Sequence, residues 1–180
     1  MQHRWIRFFL ALLIVALPLS SSAESKEGID SDVKSVLKDF SYLDASNKEI
    51  LKQAVGVLVF PSVIKAGFVV GGEYGEGALQ IEGKTVSYYS IASASVGLQL
   101  GAQSRAEIIL FMDKGALEHF RNSDGWRAGV DGSIAVIDAG AGKGASSDLR
   151  HTPIIAFVLL NKGLMGNISL EGSKISKIER

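Results

Sequence analysis

The 180-residue sequence contains no cysteine, only three prolines and no excess of charge of either sign. Without cysteine the chain cannot form a disulfide framework or carry a lipid on an N-terminal cysteine, so its stability must come from a packed core. Its 19 basic and 19 acidic residues leave no basic surplus, which argues against nucleic-acid binding. At 47% hydrophobic residues, the chain fits one domain that buries roughly two-thirds of its unfolded surface.

The first residues have the pattern of a signal peptide. Arg4 and Arg7 precede an apolar run over residues 8–19, and Ser21 and Ala23 supply small residues for cleavage. We therefore expect residues 1–23 to be removed and residues 24–180 to form a periplasmic or secreted domain. The alternative is a membrane anchor, but a spanning helix needs ~20 apolar residues. Cleavage would leave 17 basic and 19 acidic residues, a net charge of −2.

Two helices are predicted to follow. Apolar residues at intervals of three and four form one stripe, flanked by charges of both signs, at Ile29, Val33, Val36, Leu37 and Phe40. Packing of this stripe on a sheet is favoured over insertion in a membrane surface, because the polar face is not rich in Lys and Arg. Ser46 and Glu49 have the spacing of a capping box that begins a second helix, and Gly56 marks the change to strand.

From Val57 onward the hydrophobic period is two, which predicts strands. The residues predicted to be buried in their core are Val57, Val59, Phe60, Val96, Leu98, Leu110 and Phe157. Between Ala92 and Gln103 the even positions are apolar and the odd positions polar or Gly, so we expect the even face to be buried. This run exceeds the usual ~5–6 residues, and Gly97 and Gly101 are predicted to bend it. Turns are predicted at residues 82–84 and 171–173, and a short helix, capped by Asp113, at residues 113–122.

Four stretches of the sequence resemble the SYLF domain family of lipid-binding and actin-regulating domains, and together they span most of the chain. They are VLVFPSVIKAGFVVGGEYGEGAL (57–79), SIASASVGLQLGAQSRAEIILFM (90–112), SDGWRAGVDGSIAV (123–136) and NKGLMGNISLEGSKI (161–175). The resemblance implies a non-enzymatic module, since eukaryotic members bind phosphoinositide membranes and, in some cases, actin. The predicted fold is α+β, a single domain whose strongly curved antiparallel sheet is barrel- or sandwich-like, with N-terminal helices and a short inserted helix.

Patterns for catalysis or cofactor binding are not found in the sequence. It has no G-x-S-x-G or H-E-x-x-H motif, and His119 and His151 are far apart, so neither a catalytic triad nor a metal site is predicted. His119 is expected to be partly buried. Glu73 and Glu76, three residues apart on a strand, should point to opposite faces. The Gly-rich residues 140–144 fit neither a Walker nor a Rossmann pattern, which favours a loop over a nucleotide site, and no cofactor is expected.

The candidate site combines basic loop residues with neighbouring apolar ones. Lys65 precedes Phe68, Lys162 precedes Leu164, and Arg105 follows a long strand. Such pairs suit a lipid headgroup above and acyl chains below, although solvated loop charges beside core residues would give the same pattern. We predict that these five residues bind an anionic lipid or envelope membrane surface. The alternatives are a protein-interaction module, actin-binding only if the protein reaches a host cell, and an unrecognised hydrolase that would require Asp131 or a histidine in a pocket.

The first prediction concerns processing. Because cleavage is expected after Ala23, the exported protein should begin at Glu24 and remain in solution without detergent. Intact-mass measurement of protein from the extracytoplasmic fraction checks this. Folded, membrane-extracted protein that still carries residues 1–23 would contradict it.

Overall fold

The computed structural model describes residues 24–67, 70–96, 101–138, 152–160, 170 and 172–180. The elements in chain order are α1 (Lys26–Leu43), α2 (Ala45–Gln53), β1 (Gly56–Gly67), β2 (Val70–Ile81), β3 (Lys84–Val96), β4 (Gly101–Phe111), α3 (Lys114–Asn122), β5 (Trp126–Arg127), β6 (Ala135–Asp138), β7 (Ile154–Leu160) and β8 (Lys174–Ile178). The strands form one sheet in the order β5-β8-β3-β2-β1-β4-β7-β6.

This architecture confirms the predicted fold class, a single α+β domain with a curled sheet. Every strand pair is antiparallel except β6 with β7, which is parallel. The expectation of a wholly antiparallel sheet was therefore wrong at this edge. Residues 139–153 separate these two strands, and strands joined by so long a connection need not pair as a hairpin.

The N-terminal helices cover one face of the sheet, which we call the convex face. Ser25 caps α1 by accepting a hydrogen bond from the Gly28 amide at 3.1 Å. The predicted apolar stripe packs on the sheet, with Phe40 against Phe157 at a ring separation of 4.7 Å. Among the helices that the structure describes, none is long and apolar enough to cross a membrane.

The predicted start of α2 was wrong by one to two residues. Its N-cap is Asp44, whose Oδ1 accepts from the Ser46 amide at 2.7 Å, and not Ser46 itself. Glu49 pairs with Lys52 and so does not reach back in a capping box. Asp44 is the single residue between α1 and α2, and its carboxylate caps the first turn of α2 directly.

A bulge at Pro61 changes which face each side chain of β1 occupies. The register shifts between Val59 and Ser62 against β2, and between Phe60 and Val63 against β4. Proline cannot donate to the ladder, and a bulge is one of the few places where a central strand tolerates it. Before the bulge Leu58 and Phe60 face away from α1 and α2, and after it Val63 does so.

The expected burial was wrong at Ala92 and Ala94, and the expected continuity of residues 92–103 was wrong as well. Ala92 and Ala94 are exposed, whereas Ile91, on the other face of β3, is buried. The run is also two strands, since β3 ends at Val96 and β4 begins at Gly101 on the far side of β1 and β2. Alternation shows that successive residues lie on opposite faces of the strand. It does not show which face is buried where the alternating residues are alanine and serine, because both are small.

Two hydrophobic cores lie on the two sides of the sheet. The helix core on the convex face includes Val59, Leu110 and Phe157, all fully buried as predicted. The core on the opposite, concave face includes Phe60, also predicted, and an aromatic cluster in which Phe120 of α3 lies 4.9 Å from Phe111, 4.9 Å from Tyr89 and 5.6 Å from Trp126. Val57, predicted to be buried, is half-buried, and the side chains of Val96 and Leu98 lie outside the described residues.

The predicted turns and inserted helix are present where the chain is described. Glu82 and Gly83 both have positive φ, 51° and 73°, as a two-residue hairpin turn of the I′ type requires. A second turn joins Leu170 to Ser173 through a 3.0 Å backbone hydrogen bond. Helix α3 begins at Lys114 and is capped by Asp113, as predicted.

The second prediction tests the close contact between β1 and β2. A Cβ on Gly77 would clash with the carbonyl oxygen of Val59 and lie 2.7 Å from Phe60 Cδ1, whereas a Cβ on Gly72 would meet only the Ser93 carbonyl at 3.7 Å. Gly77→Ala should therefore lower the free energy of unfolding by about 1–3 kcal/mol or more. Gly72→Ala, on the same strand, should leave it within about 0.5 kcal/mol or raise it slightly. Urea unfolding of both variants checks this, and equal midpoints would contradict the packing described here.

Candidate functional site

Several strand ends meet at one end of the sheet, which we call the loop end. Gly67 at the end of β1 pairs with Gly71 of β2 and with Gly101 of β4. Val70 and Val96 pair beside them, and β7 reaches the same region where Leu160 pairs with Arg105. All five strands therefore begin or end here, so the connections that leave them start from a common place.

Four charged side chains on the concave face of the loop end form an ion-pair cluster. Glu73 accepts from Arg105 Nη2 at 2.7 Å and lies 3.1 Å from Lys65 Nζ. Arg105 Nε also donates to Glu107 Oε1 at 2.6 Å. The residue exposures are 0% for Glu107, 8% for Arg105 and 9% for Glu73, and the Lys65 side chain is 18% exposed. The cluster holds two cations and two carboxylates and is neutral when all four are ionised.

The strand pattern explains why these four side chains meet. Arg105 and Glu107 are two residues apart on β4 and so share a face, and Lys65 lies directly opposite Glu73. The bulge at Pro61 places Lys65 on the concave face together with Val63. A strand without the extra residue would have directed Lys65 to the convex face.

The two carboxylates of the cluster have pKa values shifted in opposite directions. Burial raises the pKa of Glu107, and the nearby Arg105 guanidinium only partly offsets this. Burial also acts on Glu73, but hydrogen bonds and charge from Arg105 and Lys65 hold its pKa below the usual value. Glu107 Oε2 has no hydrogen-bond partner within the part of the chain that is described.

Among the described residues, the convex face of the loop end is exposed and consists mainly of uncharged side chains. Ile64 and Tyr74 are opposite each other in the ladder and are 54% and 50% exposed. Exposed small or apolar residues around them complete what we call the uncharged face: Ser62, Ile64, Ala66, Gly72, Tyr74, Ala92 and Ala94. Lys65, Glu73 and Arg105 of these strand segments lie on the opposite face. Glu76, opposite Ser62, and Lys174, opposite Ala92, lie at the border of the uncharged face.

Tyr74 marks the border of this face with a polar network. Its hydroxyl donates to Glu76 Oε1 at 2.7 Å, and Arg180 Nε donates to Glu76 Oε2 at 3.2 Å. Burial opposes ionisation of Glu76, but hydrogen bonds from Arg180 and Tyr74 lower its pKa. Glu76 and Glu73 have separate partners on opposite faces, which confirms the expectation for this pair.

The structure brings together two of the five residues predicted to bind lipid. Lys65 and Arg105 are in the ion-pair cluster, where their charges are matched by Glu73 and Glu107, and Arg105 is buried. Phe68, Lys162 and Leu164 lie outside the described residues. Sequence reasoning missed both carboxylate partners and the uncharged face. The two-residue spacing of Arg105 and Glu107 on a predicted strand was a usable signal for one of these pairs.

The residues considered for catalysis do not converge where they are described. His119 is exposed on α3, so the expectation of partial burial was wrong. Asp131 accepts from the Arg127 amide at 2.6 Å and thereby closes a turn. His151 and residues 140–144 lie outside the description. Across the described ranges, no group of three or more His, Cys, Asp or Glu side chains is placed to hold a metal ion.

The fold and site define a single α+β domain whose sheet is covered by helices at one end and carries an uncharged, exposed face at the other. Residues 92–179 match the Ysc84 family, described as "Las17-binding protein actin regulator". The chain is also 26% identical over 169 residues to SH3 domain-containing YSC84-like protein 1 from Rattus norvegicus, Mus musculus and Bos taurus. The alignment covers 87% of the chain but 48% of each relative, so the chain spans about half the length of these proteins. These matches confirm the resemblance to the SYLF (Ysc84) family, which the family model places at residues 92–179.

The third prediction tests the ion-pair cluster. Because the pKa of Glu73 is lowered on folding, its contribution to stability is present above the ordinary glutamate pKa of 4.5 and is lost as pH falls through the folded pKa. Glu73→Gln should therefore reduce the free energy of unfolding by about 1–3 kcal/mol at pH 7. The difference from the wild type should shrink below pH 4.5.

Glu49→Gln is the matched control, because it breaks an exposed ion pair with Lys52 by the same substitution. Exposed ion pairs contribute little to stability, so this variant should unfold at the same urea concentration as the wild type. Urea unfolding at several pH values measures both. A Glu73→Gln effect that does not change with pH would show that the charge of Glu73 is not what stabilises the fold.

Proposed function

We propose that this protein is a non-enzymatic domain that binds an anionic lipid or membrane surface of the cell envelope, and that the loop end of its sheet makes the contact. The family match supports a binding role, since the Ysc84 description names a regulator that binds a protein partner. The predicted signal peptide supports an extracytoplasmic location.

The uncharged face is the observation that carries the proposal. Exposed apolar residues scattered singly over a surface are ordinary, whereas a contiguous patch usually marks an interaction site. Here Ile64 and Tyr74 lie side by side within a surface of small residues. The charges of Lys65, Glu73 and Arg105 are turned to the other face, and Glu76 at the border is paired with Arg180. A surface of this kind loses little hydration energy when it is pressed against acyl chains. Tyrosine is also a side chain favoured at the membrane–water boundary.

The basic residues of the predicted site have a smaller role in this proposal. A basic residue near an anionic membrane contributes ~1 kcal/mol, and the charges of Lys65 and Arg105 are already matched by two carboxylates. Phe68 and Lys162 follow strands that end at the loop end, and Leu164 follows Lys162. We propose that these three residues also contribute to membrane binding. Apolar contact is the main source of affinity, and the charge of Lys162 supplies the part of the affinity that depends on salt.

A protein-interaction module is the second candidate function. The Ysc84 description "Las17-binding protein actin regulator" favours it, because it names protein partners and not lipids. The uncharged face would suit an apolar protein surface as well as a bilayer. Co-sedimentation with actin filaments, run beside the lipid experiment, separates the two candidates.

The fourth prediction tests the uncharged face by liposome flotation. Ile64→Ser with Tyr74→Ser should weaken association with phosphatidylglycerol vesicles at least about tenfold, because two half-exposed apolar side chains no longer enter the bilayer. This loss should depend little on salt. Lys162→Glu should weaken binding at low salt and have less effect at high salt.

Tyr42→Ser with Leu43→Ser is the matched control. These residues at the end of α1 are 78% and 57% exposed, more than Tyr74 and Ile64, so general stickiness would affect the control at least as strongly. Equal loss in both pairs, with the fold intact by circular dichroism, would overturn the proposed surface. Absence of wild-type binding to every vesicle would overturn the lipid function, and binding to actin filaments in that case would favour the second candidate.

A further inference from the structure

A groove lies at the end of the sheet opposite the loop end, between α2, α3 and the β2–β3 hairpin. Its volume is about 660 Å³. Sites for small ligands have volumes of about 300–1,000 Å³, so one ligand molecule of moderate size fits here. The groove shares no residue with the uncharged face or with the ion-pair cluster.

The walls of the groove are aliphatic and come from five different parts of the fold. They are Leu37 of α1, Leu51 of α2, Val55 before β1, Ile81 at the end of β2 and Leu117 of α3. Leu117 belongs to the concave-face core, and Leu37 and Leu51 pack on the helix core. The groove is thus a gap between the two cores in which apolar side chains from both sides face one space. Such a surface favours an acyl chain over a polar ligand.

The rim of the groove carries charges of both signs. On α3, Lys114, Glu118 and Arg121 are four and three residues apart and so lie along one side of the helix, in the order plus, minus, plus. Lys52 and Glu82 border the groove from α2 and the hairpin. Lys52 also pairs with Glu49, but both side chains are about 60% exposed, and a pair of this kind exchanges partners at little cost.

This combination selects among possible ligands. A fatty acid or a purely anionic lipid would satisfy the cations but bring negative charge close to Glu118 and Glu82. A headgroup that carries a phosphate and an ammonium can place the phosphate at Lys114 or Arg121 and the ammonium at Glu118, so that each charge meets its opposite. We propose that the groove binds one single-chain amphiphile with such a zwitterionic headgroup. This inference goes beyond the membrane contact at the loop end and stands independently of it.

The experiment uses the folded mature chain and lysophosphatidylethanolamine below its micelle concentration, with binding measured by native mass spectrometry and calorimetry. Lysophosphatidylglycerol and a fatty acid of the same chain length are the comparison ligands. We expect one molecule of lysophosphatidylethanolamine to bind more tightly than either. Lys114→Glu with Arg121→Glu should weaken its binding about tenfold or more, because the phosphate loses two charged partners.

Three further variants separate the parts of the proposal. Glu118→Lys should weaken the binding of lysophosphatidylethanolamine but not that of lysophosphatidylglycerol, since only the former carries an ammonium group. Ala54→Trp, at a half-buried position in the groove wall, should block all three ligands. Lys34→Glu with Lys38→Glu, at exposed positions of α1 outside the groove, is the charge-matched control and should bind like the wild type.

Failure of the wild type to bind lysophosphatidylethanolamine would overturn the inference, as would equal weakening by the α1 control. Tighter binding of lysophosphatidylglycerol would show that the headgroup assignment is wrong. The Ile64→Ser and Tyr74→Ser substitutions lie outside the groove and should leave this binding unchanged. Absence of vesicle flotation by the wild type, with amphiphile binding retained, would therefore reject the proposed function alone. Flotation of the wild type without amphiphile binding would reject this inference alone.

Discussion

The extra residue at Pro61 is the constraint on which the arrangement of this domain depends. Side chains alternate between the two faces of a strand, so one inserted residue exchanges the faces of everything that follows. Ahead of Pro61, β1 contributes Val59 to the helix core and Phe60 to the concave core. After it, Lys65 turns to the concave face and Ile64 to the convex face. Both the ion-pair cluster and the uncharged face follow from this change.

The ion-pair cluster shows how charged residues are accommodated in a domain of this size. A buried ion pair is weak evidence for net stability, because removing two charges from water can cost as much as their attraction returns. Losing one partner is a different matter, since it leaves the others buried without compensation. Arg105 is hydrogen-bonded to carboxylates on two strands, and Lys65 adds a third strand. These bonds hold β1, β2 and β4 in register at the loop end, where glycine and alanine provide little packing.

The two ends of the sheet are built differently, and the proposed roles follow this difference. At the groove end, three helices supply large side chains to both cores, and the space left between them is lined by aliphatic groups with charges at the rim. At the loop end the helices no longer cover the convex face, and only small residues, Ile64 and Tyr74 are presented there. An exposed face of uncharged side chains is suited to an extended surface such as a bilayer, whereas the groove is suited to one molecule.

Local patterns in the sequence were sufficient for the elements and for the family. The stripe from Ile29 to Phe40 predicted α1, and Asp113 marked the start of α3. Gly83 marked the β2–β3 turn, because glycine readily adopts the positive φ that the turn requires. These signals act within a few residues, so they can be recognised without knowing what packs against them. The family resemblance was equally local, because it rested on contiguous stretches of sequence.

The candidate site was decided by tertiary structure. Lys65 and Arg105 looked like free loop cations because nothing near them in sequence identified Glu73 as their shared partner, 8 residues from one and 32 from the other. Ala92 and Ala94 looked buried because they are apolar, but which face of a strand is covered depends on where distant helices pack. The sequence by itself therefore determined the helices, the presence of strands after Val57, the turns and the family resemblance, but not the division of residues 92–103 between β3 and β4. Only the tertiary structure decided which charges are neutralised and which apolar face is exposed, because both depend on strand pairing and on the bulge in β1.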